Sequence, residues 1–294
     1  MSPAEGPTPP QDSERARVGI IGWPVEHSRS PLIHNSWIDQ LGLNAHYDKC
    51  PVSPDADFRG VLEVMMRVGF TGANVTIPHK ENAFKAADRL DATAAKLGAV
   101  NTLHFKDGEI IGSNTDGAGF VAALDGAADA ASWRNAPALI LGAGGATRAI
   151  LVALADAGVE DIRLTNRTRA RAEPLLALVQ DLPVRCEIID WEARADAAQD
   201  CGLLVNTTSL GMHGAPSLDM DISGLRAGAV VNDIVYAPLT TELLRAARAA
   251  DLIAVDGLGM LINQAALSFE TWFGVRPPID DLLRQRLIVD LGEK

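Results

Sequence analysis

Cysteine is scarce. Cys50, Cys186 and Cys201 are odd in number, widely separated and without a CxxC pair, so neither a disulfide framework nor a structural zinc site is expected. No metal site is predicted, and a reducing cytoplasm suits this usage. Basic residues are also in deficit, 26 against 38 acidic, for a formal net charge of −12. That balance argues against nucleic-acid or anionic-membrane partners, which need a basic footprint. It leaves room for a small anionic ligand held by a local basic cluster. No uninterrupted apolar run reaches the roughly 20 residues needed to span a membrane. The nearest, residues 137–159, carries a glycine cluster, Arg148 and Asp156 and reads better as strand, turn and helix. Residues 1–11 hold four prolines and no apolar run, unlike a signal peptide. Residues 1–16 are expected to form a disordered tail. There is no internal repeat and no heptad run, so the oligomeric state stays open between monomer and homodimer.

What remains is ordinary globular composition: 294 residues, 47% apolar and 22% charged, enough for about two domains. In the first part, RVGIIG (17–22), 46–52, GANVTI (72–77), 98–105 and 108–113 read as strands. Residues 58–68, 82–90 and 92–97 read as helices. Ser30-Pro31 looks like a helix start, with Ser30 as N-cap and Pro31 in the first turn. From residue 136 onward strands alternate with helices (strands 136–141, 161–166, 184–189, 203–207, 229–235 and 252–256; helices after Gly145, over 169–181 and over 240–250). That alternation predicts an α/β, doubly wound parallel sheet. Two final helices, 258–274 and 280–291, have no strand after them and could pack on either part.

Gly142-Ala143-Gly144-Gly145-Ala146 lies between a strand and a helix. Glycines there allow a tight turn and close backbone approach, and the helix N-terminus offers free N–H groups to a pyrophosphate. The end of the next strand would carry an acid in an NAD site. Here it reads Asn166-Arg167-Thr168, and from Arg163 to Arg171 there are four arginines and no acid. Guanidinium groups suit a 2′-phosphate, pointing to NADP. Ser28 and Ser30 flank a helix start and could receive a carboxylate, or Ser30 could simply cap. Lys80 and Asp116 each follow a strand. Meeting in a cleft, they would make a general acid/base or charge-stabilising pair. His79 is a rival by residue type, although adjacent side chains there should diverge. Met260 and Gln264 share one face of the helix expected over 258–274, which follows a glycine-rich entry at Gly257. Leu258, Leu261, Ala265, Phe269 and Trp272 form its apolar stripe.

The order and spacing of SRSP (28–31), ANVTIPHK (73–80), GAVNTL (98–103), SNTDG (113–117), GAGGATR (142–148), NRT with Arg171 (166–171), NTTSLGM (206–212), NDIVY (232–236) and DGLGMLINQAA (256–266) resemble the shikimate dehydrogenase family from about Arg17 to Arg286. The resemblance implies an NADP-dependent oxidoreductase reducing 3-dehydroshikimate to shikimate in aromatic amino-acid (chorismate) biosynthesis. It implies a discontinuous α/β substrate-binding domain (17–115 plus 257–294), a Rossmann-like NADP-binding domain (116–256) and a cleft between them. Ser28 and Ser30 would hold the substrate carboxylate, and Asn101 and Asp116 ring hydroxyls. Thr76, Tyr236 and Gln264 would complete the pocket, with Lys80 catalytic beside Asp116. Gly142, Ala143, Gly144, Gly145 and Ala146 would hold the pyrophosphate. Asn166, Arg167, Thr168 and Arg171 would meet the 2′-phosphate end, and Ile234, Gly257 and Met260 the nicotinamide. Lys80 could transfer the proton or only stabilise charge; the sequence leaves both open. His79, at a position often apolar in the family, and Leu210, in a variable loop, are the departures. A quinate/shikimate or amino-shikimate dehydrogenase, or a non-catalytic NADP-binding regulator, are the alternative functions.

Overall fold

A computed structural model describes residues 15–293; most of the expected N-terminal tail lies outside them. The first part contains β1 (Ala16–Gly22), α1 (Ser30–Gln40), β2 (Ala45–Pro51), α2 (Phe58–Arg67), β3 (Phe70–Val75), α3 (Lys80–Ala86), β4 (Arg89–Leu90), α4 (Ala92–Leu97), β5 (Thr102–Lys106) and β6 (Glu109–Ser113). Its sheet has the order β2-β1-β3-β5-β6-β4, with β3–β5 and β5–β6 antiparallel and the other pairs parallel. The second part runs through α5 (Asp116–Ala127), α6 (Ala130–Arg134), β7 (Ala138–Leu141), α7 (Gly145–Asp156), β8 (Asp161–Thr165), α8 (Arg169–Ala172), β9 (Arg185–Ile189), α9 (Arg194–Ala197), β10 (Leu203–Asn206), β11 (Val230–Asp233), α10 (Glu242–Ala249) and β12 (Ile253–Val255). Its six strands, ordered β12-β11-β10-β7-β8-β9, are all parallel. Their fully buried, mostly apolar runs, ALIL in β7 and LLVN in β10, are what a sheet covered on both faces requires. The strand order reverses between β7 and β10, placing a ligand crevice at their C-terminal ends. The last helices, α11 (Gly257–Phe273) and α12 (Asp281–Asp290), return to the first sheet: Leu258, Ile262, Phe269, Leu283 and Leu287 are buried with Val18, Ile33, Trp37 and Tyr47.

Several local expectations are corrected. Ser30 is the first helical residue and not the N-cap; Arg29 occupies that position without a side-chain cap, and the Ser28 hydroxyl accepts the Ser30 N–H (3.3 Å). The helix expected over 82–90 starts at Lys80 and stops at Ala86. Asp88 then exchanges backbone and side-chain bonds with Ile110 (2.8 Å each), and Arg89–Leu90 pairs with β6. The helix expected over 169–181 holds for one turn and tightens to a 3₁₀ helix over Glu173–Leu178, where Pro174 supplies no N–H. Helices α5 and α6 had no counterpart in the sequence reading. Helix α5 is rich in small residues because it is pressed against α11: a Cβ on Gly119 would sit 2.5 Å from the Gln264 backbone nitrogen. No helix among the described residues is long and apolar enough to cross a membrane.

Candidate active site

Two strand ends aim the central pair. Lys80 opens α3 just after β3, and Asp116 opens α5 just after β6. Thirty-six positions apart in sequence, they meet with Lys80 Nζ donating to Asp116 Oδ2 at 2.5 Å. The pair is partly buried, with side chains 23% and 10% exposed. The N-terminus of α5 adds a partial positive charge beside the carboxylate. The other carboxylate oxygen accepts from Asn101 Nδ2 (2.7 Å), and the Asp116 N–H donates to Asn114 (3.1 Å). Both Asn101 amide protons are used within the protein, the second by the Thr115 hydroxyl (2.9 Å). His79 faces the other way. It is fully buried, stacks on Phe58 at 4.9 Å, donates to the Val52 carbonyl (2.8 Å) and pairs with Asn82 (3.3 Å). It is a core residue and takes no part in the cleft.

Lys80 and Asp116 line a cavity of about 420 Å³ between the two sheets. Ser30, Thr76, Asn101, Tyr236, Gln264, Ile234, Gly257, Met260, Gly145 and Ala146 line it too. Ser28 does not, and acts behind Ser30 through its hydroxyl. Leu261, assigned to the apolar stripe of α11, also faces this cavity, along with Asn74, to which the sequence reading gave no role. Burial raises the Tyr236 phenol above its ordinary value, opposed by the nearby Arg29 charge. Arg29 is itself held by Asp290 at the end of α12 (2.5 Å). The segment bearing Ile234 and Tyr236 is anchored by buried Asp233, which accepts from Thr241 (2.8 Å), Asn206 (2.9 Å) and the Val235 N–H (3.1 Å). Burial pushes that carboxyl upward, and these bonds pull against it.

A second cavity of about 310 Å³ lies at the β7/β10 switch point, lined by Gly142, Ala143, Gly144, Asn166, Arg167 and Arg171. Trp191 and residues 207–210 line it as well. Leu210, expected from its sequence to stay clear of the chemistry, lines this cavity. The NTTSLGM motif pointed to its segment without giving it a role, and Trp191 had no sequence signal. A third space of about 360 Å³ shares Lys80 and Gly145 with the first and Gly144 and Arg171 with the second. The three thus form one path over the glycine turn.

That path suits a dinucleotide. Gly142 has φ +114°, and a Cβ there would lie 2.5 Å from the Thr207 hydroxyl, so only glycine fits. A Cβ on Gly144 or Gly145 would meet nothing within 4 Å, so the turn's backbone faces open space at the start of α7. The Thr147 hydroxyl braces the turn by accepting from Gly144 N (2.9 Å) and meeting Thr207 Oγ1 (2.8 Å). The arginine cluster divides. Arg163 turns to the Ala197 and Gln199 carbonyls (2.6 and 2.8 Å), and Arg169 to Asp190 (2.7 Å). Arg167 and Arg171 line the second cavity with no ion pair or hydrogen bond through their guanidinium groups among the described residues. Two free cations, not four, face the space. Thr168 lines neither main cavity; its carbonyl accepts from Asn166 (2.8 Å).

Comparison with known proteins fits this arrangement. The sequence profile of the shikimate dehydrogenase substrate binding domain matches residues 20–103, and that of the shikimate 5′-dehydrogenase C-terminal domain matches residues 257–285. A shikimate dehydrogenase (NADP(+)) of Methylocella silvestris is 50% identical over 277 residues, 94% of this chain and 96% of that one. The crystal structure of shikimate 5-dehydrogenase from Thermus thermophilus, in complex with NADP(H) and shikimate, is 34% identical with a TM-score of 0.81, covering 94% of this chain and 99% of that one. Quinate dehydrogenase from Corynebacterium glutamicum in complex with NAD is 28% identical with a TM-score of 0.86, covering 93% and 99%.

Proposed function

The chain belongs to the shikimate dehydrogenase family, and from that premise we propose how its cleft performs the reaction. It is an NADP-dependent oxidoreductase acting on a CH–OH group, and it interconverts 3-dehydroshikimate and shikimate. The observation that carries the assignment of roles is the Lys80–Asp116 pair, 2.5 Å apart and opening into the cavity between the two sheets.

Bound along the glycine path, NADPH would supply the hydride for the carbonyl carbon. Gly142 to Ala146 would hold its pyrophosphate through backbone N–H groups and the α7 N-terminus, while Arg167 and Arg171, beside Asn166, would take the 2′-phosphate. Ile234, Gly257 and Met260 would receive the nicotinamide. In the substrate pocket, Ser30 at the start of α1, supported by Ser28, and Tyr236 beside the Arg29 charge receive the carboxylate. Thr76 and Gln264 meet ring hydroxyls, and Asn101, which borders the pocket, takes one by exchanging one of its bonds to the Thr115 hydroxyl. As the carbonyl is reduced, negative charge grows on its oxygen. Lys80, positioned by Asp116, donates a proton from its ammonium form to that oxygen, and in the oxidative direction its neutral amine takes the proton from the hydroxyl. Asp116 accepts a substrate hydroxyl and fixes Lys80 between ring and carboxylate. Shielding by both sheets strengthens these charge interactions.

The substrate-binding unit is then residues 17–115 with 257–294, and the nucleotide unit 116–256. The free cysteines suit a cytoplasmic setting and the net charge of −12 suits a protein without nucleic-acid or anionic-membrane partners, whether as monomer or homodimer. The absence of an acid after Asn166 favours NADP over the NAD chemistry of the quinate relative. The test is NADP reduction with shikimate, followed by the absorbance of the reduced nicotinamide, with quinate and NAD as comparisons. Lys80→Ala abolishes turnover and leaves NADP affinity close to wild type; wild-type-like turnover in that variant overturns the assignment.

A further inference from the structure

Behind the cavity wall runs a line of buried polar groups that ends at the Asp116 carboxylate. The Tyr47 hydroxyl donates to Asn74 Oδ1 (2.8 Å). Asn74 Nδ2 donates to the Ser268 hydroxyl of α11 (2.9 Å) and the Asn101 carbonyl (3.2 Å). Ser268 meets the Thr102 hydroxyl of β5 at 2.7 Å, and Thr102 donates to Asn101 Oδ1 (2.9 Å). Asn101 Nδ2 then donates to Asp116 Oδ1, whose other oxygen takes Lys80. Each hydroxyl has one proton. With Thr102 donating to Asn101, the single Ser268 proton goes to Thr102 at 2.7 Å in preference to the Gln264 carbonyl at 3.2 Å, and every bond from Tyr47 to Asp116 then points the same way. Such a one-way chain is self-reinforcing, since each donor is polarised by the bond it accepts.

Two features separate this line from ordinary core bonding. Thr102 and Ser268 are fully buried and line no part of the cavity, whereas the groups at its end, Asn101 and Asp116, do. The line also fixes the register of α11. Ser268 lies one turn beyond Gln264, whose carbonyl it touches (3.2 Å), and one turn further Trp272 donates to the Leu103 carbonyl (2.8 Å). The helix that presents Met260 and Gln264 to the cavity is therefore locked to β5 beside the residue that orients Asp116.

We infer that Thr102 and Ser268 are positioning residues. Their paired hydroxyls hold the Asn101 amide so that its NH₂ group faces Asp116, and they tie that orientation to the placement of α11. The inference rests on the roles proposed for Lys80 and Asp116. Asn74, though it borders the cavity, has its amide spent on this line and acts as its junction, not as a substrate ligand.

The test compares Thr102→Val, which keeps the shape and removes the hydroxyl, with Thr102→Ser, which keeps the hydroxyl, and with Ser268→Ala. Each is assayed well below its melting temperature. Loss of positioning predicts a fall in kcat of about tenfold or more in Thr102→Val and Ser268→Ala. The KM for NADP stays unchanged, and Thr102→Ser keeps most of the wild-type kcat. Should Thr102→Val fail to fold, Ser268→Ala decides alone. Wild-type kcat in Ser268→Ala, whatever its melting temperature, overturns the inference, as does an equal loss in Thr102→Ser and Thr102→Val. Lys80→Ala run alongside separates the two levels. If it is inactive while the hydroxyl variants are normal, only the positioning role fails. If it is active, the underlying chemistry fails.

Discussion

Removing Arg167 and Arg171 should change which nicotinamide cofactor the enzyme prefers. In the free protein neither guanidinium has a hydrogen-bond or ion-pair partner among the described residues, so Arg167→Ala with Arg171→Ala leaves no buried charge behind and spares the fold. The loss falls on the bound 2′-phosphate. A hydrogen bond to a charged group contributes about 1.5–3 kcal/mol. Both arginines are exposed, so solvent screening puts each at the lower end, about 1.5 kcal/mol or tenfold in affinity. Because they share one phosphate their effects couple, and the double variant should lose about 30- to 100-fold in kcat/KM for NADP. NAD lacks the phosphate, so its kcat/KM should change by less than about twofold. The assay is initial rates with both cofactors at saturating shikimate, repeated at rising ionic strength. Over a Debye length of about 8–10 Å, salt should erode the wild-type preference for NADP and barely touch that of the variant. An unchanged NADP/NAD ratio would refute the assignment. A parallel fall with NAD would move these arginines to the part of the cofactor that both dinucleotides share.

Two further outcomes follow from packing and burial. His34 is fully buried and stacked on Tyr47 at 4.3 Å, and burial lowers its pKa to about 3 against the opposing pull of nearby Asn74. The unfolded chain binds a proton near pH 6.5 that the folded one refuses, so stability is lost as pH falls from about 6.5 towards 3, at up to about 1.4 kcal/mol per unit. Denaturant titrations of the wild type and His34→Leu across that window should show a shallower acid slope in the variant; identical slopes refute the reasoning. In Gly119→Ala the new methyl meets the Gln264 backbone nitrogen at 2.5 Å. Overpacking of about 1–3 kcal/mol outweighs the gain in helix propensity of about 0.5–1 kcal/mol. The melting temperature should fall by a few degrees, and the shikimate KM should rise as Gln264 shifts. A raised melting temperature would show that α11 yields freely.

The elements read correctly from sequence were those whose cause is local. The apolar run before Gly142, the glycine turn and the helix after it form a unit whose backbone demands are written in adjacent residues. The errors occurred where a distant contact overrides local preference. Helix α5 holds Gly117, Gly119 and Gly126, poor helix formers by propensity, and the first two belong there because α7 and α11 approach so closely. Arg89–Leu90 is a strand because β6 is beside it, and Arg163 left the phosphate cluster because the Ala197 and Gln199 carbonyls lie on its side of the sheet. Trp191 reaches the second cavity from beyond β9, with nothing in its neighbouring residues to mark it.

By itself the sequence determined the parallel α/β second half, the glycine turn, the arginine cluster near it and, through the order of its motifs, the family. These depend on residue type at short spacing, which a chain states directly. Tertiary structure decided which candidates act together. It joined Lys80 to Asp116, turned His79 into the core, kept two arginines for the cavity and withdrew two, and brought Ser268 of the last long helix onto Thr102 of the first sheet. Each of these is a relation between segments tens to hundreds of residues apart, fixed only when buried strands and helices must fill one volume and satisfy every polar group enclosed there.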